Sequence, residues 1–127
     1  MMLIVKLQYY ERRRMTMQIK KTYLNVKAEL LYDELKDFIV KQGLTLSDNK
    51  FETYSLPTDS TGYISRGTLV FRNSNGKDCL RVHMVGMAVG ETKLMLDIDE
   101  SLFAQEKLKA LQEDIDFVFG SYEVKTT

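Results

Sequence analysis

Two turn signals that agree on a single strand register constrain this chain more than any other feature. Tyr63–Arg72, Cys79–Met87 and Glu91–Asp99 each alternate apolar with polar residues, and Asn75-Gly76 and Ala88-Val89-Gly90 stand between them. Alternation of this kind marks strands with one covered face. Asn-Gly is the strongest short hairpin signal, because both residues accept the positive φ of a type I′ turn. A two-residue turn there sets Phe71 opposite Leu80, Leu69 opposite Val82 and Gly67 opposite Met84. In the next hairpin the apolar residues are even-numbered on both strands, which requires an odd loop. Three residues with Gly90 in the left-handed position meet that condition and set Met84 opposite Leu94 and Val82 opposite Leu96. Both turns gather Leu69, Phe71, Leu80, Val82, Met84, Leu94, Leu96 and Ile98 on one face, with Arg66, Arg72, Arg81, His83, Lys93, Asp97 and Asp99 on the other. Such agreement between independent local signals is expected of a real meander.

The flanking segments supply the second layer. Gln18–Val26 has the β-branched and aromatic content of a strand, interrupted by Lys20-Lys21, and reads as an edge strand. Asn25 is placed to cap a helix whose stripe is Ala28, Leu31, Tyr32, Leu35, Phe38 and Ile39, with Gly43 as its stop. Leu44–Leu56 is extended, with Asp48-Asn49-Lys50 as a bulge or hairpin tip, and 57–62 is a polar loop. Asp99 or Ser101 opens a last helix with the stripe Leu102, Phe103, Leu108, Leu111, Ile115, Val118 and Phe119, ended by Gly120. The expected fold is α+β. It is a two-layer sandwich in the order β-α-β-β-β-β-α, with five to six antiparallel strands and both helices on one face. Residues 17–127 form a single domain, and residues 1–16 are a basic N-terminal arm or an extra strand.

Composition narrows the chemistry. The 127 residues, 44% hydrophobic, suffice for one core without disulfides or a structural metal. One cysteine, Cys79, and one histidine, His83, exclude a disulfide framework and the usual closed zinc site, and point to the cytoplasm. The zero formal net charge hides an asymmetry, since residues 1–28 hold seven Lys or Arg and one Glu while the remainder is acidic. No secretory signal or membrane span is expected.

No pattern of catalytic residues emerges. His83 falls opposite Thr68 and beside Met95, so no carboxylate orients its imidazole, and Ser60, Ser65 and Cys79 have no assigned base. Asp97 lies opposite Arg81, which predicts a cross-strand ion pair rather than a carboxylate pair. Residues 59–62 lack the second glycine and Lys-Ser/Thr of a phosphate loop, and Gly86–Gly90 lies between two strands, outside the strand-to-helix context of a dinucleotide fingerprint. The expectation is a protein that is not an enzyme, needs no cofactor or metal, and acts by binding another protein or itself. Its surface would be Arg66, Arg72, Arg81, His83, Lys93, Val70, Val85 and Met95, or the N-terminal arm adding a strand to a neighbour. A second reading is a nucleic-acid binder using Arg12, Arg13 and Arg14 with the outer-face arginines. The three strands of the meander, however, turn Tyr63 and Phe71 inward and leave no stacking aromatics between the charges.

The order of strand, helix, meander and long last helix resembles, over Gln18–Phe119, the helix-grip domains of the START and Bet v1 type. That resemblance implies a carrier of a small apolar ligand held between the last helix and a curved sheet. The chain departs from it in having fewer strands and no second short helix, and in offering Phe103, Leu111 and Phe119 to fill the gap. The segment Met17–Gly43, MQIKKTYLNVKAELLYDELKDFIVKQG, also resembles a small archaeal protein of two-layer α/β sandwich type, which implies a fold but no activity.

Overall fold

The computed structural model describes residues 16–57 and 59–124. The meander forms with the expected strand pairing. β3 (Asp59–Arg72), β4 (Asp78–Met87) and β5 (Glu91–Asp99) set Phe71 against Leu80, Val82 against Leu96 and Met84 against Leu94. β1 (Thr16–Leu24) adds to the free side of β5, and β2 (Thr45–Leu56) to the free side of β3. Among the described residues this gives one five-stranded antiparallel sheet in the order β1-β5-β4-β3-β2. Helix α1 (Ala28–Lys41) joins β1 to β2, and α2 (Gln105–Phe119) follows β5 and runs into a 3-10 turn, Gly120–Tyr122. The element order is the one the sequence predicts; residues 1–15 of the N-terminal arm lie outside the described residues, and Thr16 opens β1.

One buried cluster joins the layers. Leu31, Leu35 and Ile39 of α1 and Leu108, Leu111 and Ile115 of α2 share it with Leu69, Val82, Leu96 and Ile98 of the sheet. Each such side chain contributes roughly 1.5–3 kcal/mol by leaving water. Two glycines let α1 lie close to the sheet. A Cβ on Gly86 would stand 2.6 Å from Ala28 Cβ, and one on Gly67 would stand 2.8 Å from Tyr32 Cδ2. Lys21 explains the broken alternation of β1. It falls on the helix side of the sheet, where its ammonium meets Asp116 of α2 at 3.2 Å and Glu123 at 3.1 Å. Burial opposes its charge, but the two carboxylate contacts outweigh that and raise its pKa.

Several local expectations are corrected. The first turn is not type I′. Asn73 O accepts from Gly76 N, Gly76 has φ +75, and Asn75 keeps negative φ, so a type I turn is followed by a left-handed glycine. Asn73 Oδ1 fixes it by accepting from the backbone N–H of Asn75 at 3.0 Å and of Lys77 at 3.1 Å. This loop pairs Arg72 with Asp78, one step off, and a bulge at Cys79 restores Phe71 to Leu80. Asn25 does not cap α1. It sits at φ 64 and donates its backbone N–H to Gly90 O, while Lys27 occupies the capping position without a side-chain bond. Asp99 closes a turn onto the Ser101 N–H, and α2 starts only at Gln105. The bulge in β2 falls at Ser47, ahead of Asp48-Asn49-Lys50, and β3 begins at Asp59 inside the expected loop. Val118 is exposed rather than part of the apolar stripe of α2.

Candidate functional site

The register lays out the sheet face opposite the helices as rows. Across it run Thr22, Lys93, Val85, Arg66 and Glu52; then Lys20, Met95, His83, Thr68 and Lys50; then Gln18, Asp97, Arg81, Val70 and Asp48. Seven of the eight residues singled out from sequence, Arg66, Arg81, His83, Lys93, Val70, Val85 and Met95, lie together here. Val85, Met95, His83 and Thr68 are half-buried although no described helix lies over them. Arg72 stands apart, tied to Asp78 at 3.1 Å beside the β3–β4 turn. Val70 shares the face but is only 7% exposed and offers little surface. Arg12, Arg13 and Arg14 lie outside the described residues.

The cations of this face divide into two sets. Lys50 pairs with Glu52 at 2.9 Å, which raises its pKa, and Lys93 approaches Glu91 at 3.9 Å. Among the described residues no carboxylate pairs with Lys20, Arg66 or Arg81. The expected Arg81–Asp97 ion pair is not made. The two are register partners, yet Asp97 Oδ1 is solvent-excluded and accepts no hydrogen bond among the described residues. Sharing a row places two side chains side by side without pointing their ends at each other.

His83 keeps Thr68 and Met95 as its cross-strand neighbours. Cys79 is buried in its bulge, where desolvation pushes the thiol pKa up and Sγ lies 3.7 Å from Phe71 O. Among the described residues no three His, Cys, Asp or Glu side chains converge as a metal site, and no helix is long and apolar enough to cross a membrane.

The helix side of the sheet holds a feature that the alternation pattern did not reveal. Where a helix-grip domain would hold its ligand, Phe103, Leu111 and Ile115 belong to the same buried cluster as Val82 and Leu96, with Phe38 packed against it. Beyond the first turn of α1, however, a cleft of about 520 Å3 opens between the β2–β3 hairpin, the β1–α1 connection and the β4–β5 turn. Its lining includes Thr53, Ser65 and Thr92, three hydroxyls at positions where the alternation calls for apolar residues. That break in pattern was the available sequence signal. Comparison with protein-family models, with curated proteins and with solved structures returns no match.

Proposed function

We propose that this chain is a non-enzymatic binding module that takes an acidic protein surface onto the outer face of its sheet. Its working compartment would be the cytoplasm, where its one thiol stays reduced. The observation that carries the reading is the set of Lys20, Arg66 and Arg81, unpaired among the described residues, around the half-covered Val85, Met95 and Thr68. An apolar centre rimmed by unpaired cations suits a partner that presents apolar side chains flanked by carboxylates.

The test uses amide NMR shifts of the labelled chain with a synthetic peptide alternating Glu and Val, its Lys-Val counterpart, and a single-stranded oligonucleotide. The reading expects saturable shifts at Val85 and Met95 with the acidic peptide only, weakening with salt. With two exposed pairs of up to about 1 kcal/mol each, Arg66→Glu with Arg81→Glu should weaken that binding about tenfold or more. Equal response to both peptides, an unaltered affinity in the double variant, or shifts with the oligonucleotide alone would reject it.

A further inference from the structure

We infer that the cleft at the N-terminal end of α1 is a binding site for a small, largely apolar molecule carrying a hydrogen-bond acceptor such as a carbonyl oxygen. The volume of about 520 Å3 lies within the roughly 300–1,000 Å3 of typical small-molecule sites. It arises from how far α1 reaches. Ala28, its first residue, sits against Gly86, so among the described residues no helix lies over the inner-face residues of β2 and β3 beyond that point.

The walls fit such a molecule by chemistry. Phe51 is a fixed aromatic surface, held edge-on to Tyr32 with ring centroids 5.1 Å apart. Tyr63 and Met87 line the cleft and remain substantially exposed, so an apolar ligand would cover surface that water now touches. On the same inner face Thr53 Oγ1 and Ser65 Oγ are 2.9 Å apart, and Ser65 is only 6% exposed. One hydroxyl donates to the other, which leaves one O–H of the pair without an acceptor among the described residues. Thr92 Oγ1 is 2.6 Å from Val26 O and pins the β1–α1 connection that forms one side. The cleft therefore offers an apolar body site with one spare donor among its lining hydroxyls. A ligand with an oxygen acceptor meets both features, whereas a pure hydrocarbon leaves the donor unmatched.

The cleft and the arginine-rich face lie on opposite sides of the sheet, so each is tested without the other. The probes are acetophenone and ethylbenzene, nearly equal in shape and differing in the carbonyl. Titration of the labelled chain should give saturable amide shifts at Thr53, Ser65, Gly86 and Ala88, with acetophenone at least fivefold tighter. Ser65→Ala combined with Thr53→Val should reduce that preference below twofold. Ala88→Trp, at an exposed turn position lining the cleft, should lower the affinity for both probes more than tenfold while the melting temperature stays that of the parent. The inference is overturned by an absence of saturable shifts, by shifts centred on Val85 and Met95 instead, by equal affinity for the two probes, or by undiminished binding in a folded Ala88→Trp.

Discussion

Replacing Gly86 by alanine tests whether the close seat of α1 on the sheet is a requirement of this fold. The added Cβ would stand 2.6 Å from Ala28 Cβ, 3.3 Å from Thr92 Oγ1 and 3.5 Å from Ala28 N. Carbon atoms prefer about 3.5–4.0 Å, so the first contact is short by roughly 1 Å. Neither partner yields cheaply. Gly86 is held between β3 and β5 through Ser65 and Thr92, and Ala28 Cβ is fixed to the helix backbone rather than to a flexible chain. Overpacking of this kind costs about 1–3 kcal/mol, and at about 4 °C per kcal/mol the melting temperature should fall by about 4–12 °C. Ala28→Gly removes the clashing atom, and alone should cost about 1 kcal/mol through helix propensity. The double variant should then be about as stable as Ala28→Gly alone, a coupling of about 2 kcal/mol by chemical denaturation. A Gly86→Ala protein within about 0.5 kcal/mol of the parent, or strictly additive losses, would refute the reasoning.

Other consequences are open to direct measurement. Tyr23 is fully buried and its hydroxyl has no partner among the described residues, so Tyr23→Phe should hold or raise stability by up to about 1 kcal/mol in urea; a loss of more than that would reveal a satisfied hydroxyl. Burial foremost, with Glu123 and Asp116 nearby, raises the Tyr23 pKa, and the paired Lys21 is raised too. Both contributions are present below the ordinary values near 10 and are lost as pH climbs above them, so the parent should unfold progressively beyond about pH 10. Tyr23→Phe should blunt that alkaline loss, and an unchanged pH profile would count against the assignment. Asn73→Ala removes an acceptor for two turn N–H groups and should cost about 1 kcal/mol, whereas an equally stable variant would mean that Gly76 alone shapes the turn.

The meander was legible because its information is local: apolar parity and the odd loop at Ala88–Gly90 suffice to pair Val82 with Leu96. The first hairpin shows how a register can be right although its turn is read wrongly. Asn73 accepts two backbone N–H groups through its side chain, lengthening the loop by one residue, and the bulge at Cys79 takes the extra residue back. Asn25 has the residue type and position of a helix cap, but its backbone answers to Gly90, 65 residues away in sequence, a contact that no local pattern encodes. The outer face gathered Arg66, Arg81, His83, Lys93, Val85 and Met95 because parity alone decides which side of a strand a residue occupies. Parity does not decide whether charged ends meet, as Arg81 and Asp97 show, or how deeply Val70 is covered. The cleft was hidden for a different reason. It depends on where α1 ends over the sheet, and Thr53, Ser65 and Thr92 acquire meaning only once that limit is known.

The adjacency of β1 and β5 has a consequence for the order in which the chain acquires structure. Thr16 pairs with Asp99 and Leu24 with Glu91, so the earliest described strand finds its hydrogen-bonding neighbour only when the last strand has formed. The hairpins β2–β3, β3–β4 and β4–β5 close over short loops, whereas β1 docking must close a loop of more than sixty residues. Folding should therefore nucleate in the meander, with β1 arriving late and slowing the overall rate in the manner of non-local sheet pairing. During synthesis Ile19 and Tyr23 emerge well before Leu96 and Thr92, so β1 must wait on an incomplete sheet while its inward side chains remain uncovered.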